Sequence, residues 1–240
     1  YDVGTEITLA GGNDLKKDNF VLEGWKIKDK IYKPGETFTI NENTIAEAIW
    51  NADTHTVEFN TDGGTHIPSQ KVKHNELITK VKNPEKPNYT FIGWKVDGKD
   101  FDPATEKITK DITLVAQYVK DVIPQDGDKK PDTVPEKFVK VTFVPTENGT
   151  MKGTKIFWVN PDKEVTIPVS NPTGKQHFTF KEWKIGEKAD GDVYKPSTPK
   201  KFETATTITA TYTEAENIIP YDPEEPITRP DGLSLIHISE

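Results

Sequence analysis

The stretch that decides the fold is "NYTFIGWKV", Asn88 to Val96. It ends in a tryptophan set between a glycine and a lysine, and it does not stand alone. "DNFVLEGWKI", Asp18 to Ile27, precedes it, and "HFTFKEWKI", His177 to Ile185, follows it. A tryptophan repeated in one phrase is either an exposed aromatic track for a ligand or the core signature of a small unit used several times. The flanking sequence separates the two. Ahead of each phrase lies an alternating stretch: "TEITL" from Thr5, "NELITKV" from Asn75 and "KEVTIPV" from Lys163. Behind each lies an aromatic anchor: "YKPGETF" from Tyr32, "FDPATEKI" from Phe101 and "YKPSTPKKF" from Tyr194. A closing strand then ends at Trp50, Tyr118 or Tyr212. Two copies also have an opening strand that runs into a polar turn, "TVEFNTDGGT" from Thr56 and "KVTFVPTENGT" from Lys140. A fixed order of features at a fixed spacing marks a repeated module.

The strand assignment rests on alternation. In "TVEFN", Val57 and Phe59 share one face while Glu58 and Asn60 share the other. In "DITLVAQY", Ile112, Leu114, Ala116 and Tyr118 share a face. Period-2 patterning of this kind marks half-buried antiparallel strands. Gly63-Gly64 and Asn148-Gly149 supply turn chemistry after the opening strand, and a hairpin turn accounts for "TDGGT". No segment carries a long helical period, though "PATEKITKD" near Pro103 has room for a short helix. The expected fold is therefore mainly β: small modules in tandem, each with its tryptophan and closing aromatic on one packed face. A complete module is about 65–75 residues, where burial is marginal and large aromatics are an economical way to fill a core.

The organisation follows. Residues 1–51 form a module without its opening strand, for which an exposed sheet edge and low stability are expected. Residues 56–119 form a complete module, 120–138 a linker rich in proline and acidic residues, 139–213 a divergent module, and 214–232 a second linker of the same kind. Linkers of this composition favour an extended spacer, and Val122-Ile123 and Ile218-Ile219 are each positioned to dock onto the module before them. The short "NADTH" places the first two modules close together. The last eight residues, "LSLIHISE", 233–240, fit nothing before them and resemble the translation of a sequencing adapter. They are set aside from fold reasoning.

Composition bounds the function. The chain has 240 residues, 33% hydrophobic and 29% charged, with 18 prolines, a balance that suits small modules with much surface. The net charge of −8 argues against nucleic acid as a partner. The absence of cysteine excludes disulfides and thiolate chemistry. No apolar run reaches the roughly 20 residues that membrane insertion requires.

With these residues in place, a family resemblance can be stated. The middle module, through "FNTDGGT", Pro87, Tyr89, Phe91, Gly93-Trp94, Phe101 and the strand Ile112 to Tyr118, resembles the Listeria–Bacteroides repeat family, which includes the B repeat of internalin-type surface proteins. The first module matches in its second half, through Gly24-Trp25 and Ile45 to Trp50. The third departs from the pattern at Glu182, which replaces the glycine before Trp183, and at "PTENGT". The resemblance implies β-grasp-like modules repeated along secreted or wall-anchored bacterial proteins, with a spacer or adhesive role, an extracellular location, and a host or matrix protein or a glycan as partner. It brings no catalytic residues and no cofactor. A monomer is expected.

The remaining chemistry is sparse. The histidines, at 55, 66, 74, 177 and 237, are not paired at metal-ligand spacing and read as surface residues. "DGDKKPD" and "DPEEP" lack the ligand order of a calcium loop. No lysine–asparagine pair stands out for a cross-link. The alternative to a spacer is a carbohydrate-binding array attached to a secreted protein or enzyme. Trp158, in "KIFWVN", does not recur and is the candidate for an exposed ligand contact, against its reading as a second core aromatic.

Overall fold

The computed structural model describes residues 1–215 apart from 12 and 14. The second linker beyond residue 215 and the octamer 233–240 lie outside the described residues. The described residues form twenty strands and no helix.

The first module contains β1 (Glu6–Thr8), β2 (Phe20–Ile27), β3 (Lys30–Tyr32), β4 (Thr37–Thr39) and β5 (Ala46–Ala52). β1 pairs with β4, and β2 lies between β3 and β5, all antiparallel. The second contains β6 (Thr54–Asn60), β7 (Gln70–Lys73), β8 (Tyr89–Val96), β9 (Lys99–Phe101) and β10 (Ile112–Lys120), in the sheet order β7-β6-β10-β8-β9. Its first and last strands, β6 and β10, are neighbours and parallel. Then come β11 (Val122–Gln125), β12 (Val139–Val144), β13 (Gly149–Thr150), β14 (Ile156–Val159), β15 (Glu164–Val165), β16 (Thr173–Gly174), β17 (Phe178–Ile185), β18 (Val193–Tyr194), β19 (Lys200–Lys201) and β20 (Thr206–Glu214). The main third sheet runs β11-β14-β12-β20-β17-β18, again with its module's first and last strands, β12 and β20, parallel. Two short pairs, β13-β16 and β15-β19, complete it.

The repeated phrase has a specific job. Phe91 and Trp94 are three residues apart, so a regular strand would send them to opposite faces. A β-bulge corrects this: Gln117 faces Gly93 and Tyr118 faces Phe91, leaving Ile92 as the extra residue. The same bulge recurs at Glu23 and at Lys181. Phe91 and Trp94 therefore meet edge to face at 5.2 Å, and Phe180 and Trp183 at 5.5 Å. Trp94 is 5% exposed and Trp183 1%, both inside the cores of their modules. Trp25 is only half-buried; its N–H donates to the Ala10 carbonyl at 2.9 Å.

The turn glycines do more than turn. Tyr118 donates its hydroxyl to the Thr61 carbonyl at 3.0 Å, and Tyr212 to Pro145 at 2.6 Å. A Cβ on Gly64 would run into the Tyr118 hydroxyl, and one on Gly149 into that of Tyr212. Each closing tyrosine thus clasps the turn that follows its opening strand. The turn itself exists, with Asp62 and Gly63 at positive φ and Gly64 N–H bonded to Thr61 at 2.8 Å. It is not a tight hairpin, because β6 pairs with β7 only from Val57–Gln70 onward. A two-residue hairpin occurs instead at Asp97-Gly98, both at positive φ, between β8 and β9.

Three expectations need correction. "NELITKV" is not a strand; it contributes one bridge, Glu76 to Ile108, and the second strand of the module is β7 just upstream. The short helix near Pro103 is a single turn: Asp102 accepts N–H bonds from Ala104, Thr105 and Glu106 through its side chain and carbonyl. "FDPATEKI" is too short and too rich in turn formers to go further. Finally, Val122-Ile123 does not dock backward. It forms β11 and pairs with β14 of the following sheet.

Candidate functional site

The most elaborate polar arrangement lies where the second module meets the third. Asp121 directly follows β10, and its N–H donates to the Asn88 carbonyl at 2.9 Å. Asn88 can accept it because it takes a positive φ, which asparagine tolerates, at the entry to β8. The Asp121 carbonyl accepts from Asn160 N–H at 3.0 Å, which seats β11 against the end of β14. The side chains close the joint. Thr90 Oγ1 donates to Asp121 Oδ1 at 2.5 Å. Asn160 Nδ2 donates to Thr90 Oγ1 at 2.7 Å, while its Oδ1 accepts from Asp162 N–H. Lys163 Nζ reaches both Asp121 oxygens, at 3.0 and 2.9 Å, and the Tyr89 carbonyl at 2.5 Å. Thr90, Asp121 and Asn160 are buried. The carboxylate thus has three charge-assisted hydrogen bonds, two of them from the Lys163 cation, the condition under which a buried charge is tolerated. An open cleft of about 530 Å³ lies alongside, between Thr90–Ile92 of β8 and residues Asp132–Lys137 of the linker.

The residues singled out for chemistry fall elsewhere. Trp158 lies on β14, between β11 and β12. It is half-buried, its N–H donates to Gln125 Oε1 at 2.9 Å, and Lys130 Nζ sits 4.5 Å above its ring. A stacking ligand would have to displace that lysine. The histidines differ from their sequence reading in one respect. β6 and β7 bring His55 and His74 together, Nε2 to Nδ1 at 3.0 Å, with Asp111 3.9 Å from His55. Antiparallel pairing across a long connection produces this contact, and linear spacing gives no sign of it. Among the described residues, no group of three or more His, Asp or Glu side chains is arranged to hold a metal ion. The notable pKa displacements are structural. Burial raises Tyr118, against the opposing charge of Lys86, and raises Tyr212. Burial also pushes Tyr194 up to about 12. None of the four clamp residues is given by a motif: Thr90, Asp121, Asn160 and Lys163 are brought together from two modules and the linker between them.

A row of small all-β sheets joined by a strand-forming linker defines the class, a modular repeat segment. Its family can be stated for the middle unit: residues 55–117 match the Listeria-Bacteroides repeat domain, and the second module is a member of that family. Two relatives extend the likeness. The chain is 26% identical over 185 residues to a protein of Evansella cellulosilytica whose name marks it as a candidate membrane protein, covering 75% of this chain and 24% of that one. It is 28% identical over 150 residues to internalin H of Listeria monocytogenes, covering 54% of this chain and 26% of the relative. The chain therefore spans about a quarter of the length of these relatives.

Proposed function

We propose that this chain is a repeat segment of a bacterial cell-surface protein and that its modules act as a load-bearing spacer. The family match and the names of the two relatives support the location. The strand order, with an opening strand parallel to the closing one at the sheet centre, supports a β-grasp-like module. That parallel pair is also the observation that carries the spacer reading. A pull on the two ends of a module drags β6 and β10 in opposite directions along their shared axis. The hydrogen bonds from Ile112–Val57 to Val115–Asn60 are then loaded together in shear. Strands pulled apart from one end would instead break their bonds one at a time. The third module has the same arrangement from Val141–Thr206 to Val144–Thr209. The clamp at Asp121 then passes tension directly from one sheet to the next, where a bare Pro-rich linker would stretch first. The geometry favours span over adhesion, since the face of Trp158 is covered by Lys130.

Single-molecule pulling tests this. Stretched through its chain ends, the second module is expected to unfold at a force several times that needed when cysteines at Tyr89 and Lys120, paired at the adjacent ends of β8 and β10, serve as handles. The chain has no native cysteine to interfere. Equal forces in the two directions would remove the mechanical basis of the spacer reading.

A further inference from the structure

We propose that His55 and His74 form a two-imidazole site for one borderline divalent transition-metal ion, of the zinc and copper class. The pairing of β6 with β7 builds it. His55 shares the inner face of β6 with Val57 and stands opposite Val72 of β7; both valines are buried. His74 comes one residue after β7 ends, and its ring meets that of His55 at 5.2 Å between centroids, inclined by 65°. Nε2 of His55 and Nδ1 of His74 face each other at 3.0 Å. Lys71, next to Val72, is turned to the opposite face, where its Nζ bonds Thr56 Oγ1 at 2.5 Å.

The spacing suits an ion. Two imidazole nitrogens on one tetrahedral zinc, each at about 2.0–2.1 Å, stand about 3.3 Å apart, so the rings need to part by only about 0.3 Å. A hydrogen bond between them uses one lone pair and one N–H, whereas the ion uses both lone pairs. Each ring stays neutral and carries its proton on its outer nitrogen. For His55 that nitrogen is Nδ1, 3.9 Å from Asp111 Oδ1, an oxygen that Thr56 N–H holds at 2.7 Å. A carboxylate beside the outer nitrogen orients a ligating histidine and strengthens it as a donor. The His55 side chain is 14% exposed, which limits its rotamers, while half-buried His74 follows an edge strand and gives an ion access from solvent. Among the described residues no third His, Asp or Glu completes the set, so water fills the other positions and the ion exchanges freely. Once bound, it ties β7 to β6 beside the bond from His74 N–H to the Asp53 carbonyl, between the first two modules.

The probe is Zn2+ alone, titrated into the whole chain without a histidine tag, at a pH where imidazole is neutral. Calorimetry gives the stoichiometry, and nitrogen NMR of the imidazole rings gives the place. One zinc per chain, saturating below about 1 mM, is expected, with shifts at the ring nitrogens of His55 and His74 and none at exposed His66 and His177. His55→Gln and His74→Gln should each weaken binding at least about tenfold. Circular dichroism checks that the variants fold; if His55→Gln does not, His74→Gln and the ring spectra of the whole chain decide. Ca2+, which takes oxygen ligands, should neither shift the rings nor displace zinc. Zinc binding that survives in His74→Gln, that equal Ca2+ displaces, or that leaves both ring nitrogens unshifted would put the ion on surface carboxylates and overturn the proposal. No binding up to about 1 mM would overturn it as well.

Discussion

The two junctions of this chain are built on one backbone plan and finished differently. At the first, Asp53 N–H bonds the Asn19 carbonyl at 2.8 Å and the Asp53 carbonyl accepts from His74 N–H at 2.6 Å. At the second, Asp121, Asn88 and Asn160 make the same two bonds. Asn19 and Asn88 even share their positive φ, 64° and 63°. The side chains diverge. Val21 stands in the place of Thr90 and is 57% exposed, against 7% for the threonine. The turn after β7, His74 to Leu77, has no lysine, and the Asp53 side chain caps its neighbour Thr54. His74 bonds His55 within its own module. The backbone plan therefore sets where one module follows another, and the side chains of Thr90, Asp121, Asn160 and Lys163 set how tightly the two are coupled.

The largest expected effect is at the aspartates. Asp121→Ala removes the acceptor of three charge-assisted bonds, and should cost about 2–3 kcal/mol, the lower part of the range because Lys163 is partly exposed and regains water. Asp53→Ala should cost less than about 1 kcal/mol. Urea unfolding of both variants makes the comparison, and equal losses would mean that the second junction has no special coupling. Next is Thr90→Val, which copies the first junction into the second. It keeps the shape but leaves the Asn160 side-chain amide without its acceptor and Asp121 with Lys163 alone, at a cost of about 2 kcal/mol.

Why some of this was legible in sequence and some was not follows from the range of the interactions. Alternation in "TVEFN" and "DITLVAQY" reports a local, two-residue period, and Val57, Leu114 and Ala116 are buried as it predicts. The inward tryptophans followed from their place between strands. The bulge has a local mark too: a large apolar residue and a tryptophan three apart, Leu22 and Trp25, Phe91 and Trp94, Phe180 and Trp183, cannot share a face without one. Non-local features left no such mark. β7, "QKVK", is too short and polar to signal a strand, and β11 reads as linker until β14 offers it an edge. The clamp joins Thr90 to Lys163, two residues whose spacing in the chain has no period.

A smaller effect separates the modules rather than the junctions. Tyr118→Phe and Tyr212→Phe each delete the hydroxyl clasp and should cost about 1 kcal/mol. Burial raises both phenols from the usual 10.0. The associated stability is fully present below that value and is lost as pH rises through the raised one. Thermal unfolding above pH 10 should therefore fall more steeply for the second and third modules than for the first, where Trp50 does not titrate. Tyr118→Phe should flatten that fall in the second module, whereas in the third Tyr194, pushed up to about 12 by burial, sustains it after Tyr212→Phe.

The smallest expected effect is the reverse graft, and it tests the comparison most sharply. Val21→Thr places a hydroxyl where Thr90 has one. If the threonine alone made the clamp, the first junction would tighten by a measurable amount. The geometry says otherwise. Thr90 is useful because Asp121 accepts its proton, Asn160 donates to its oxygen, and Lys163 neutralises the carboxylate. At the first junction the corresponding aspartate is turned to Thr54, the asparagine is a histidine already bonded to His55, and no lysine is present in the turn. A new hydroxyl at an exposed position would exchange one water for another, so the change should stay within about 0.5 kcal/mol. A gain above 1 kcal/mol, measured by urea unfolding, would show that the first junction was already poised to form the clamp, and that a single residue, rather than the set of four, distinguishes the two.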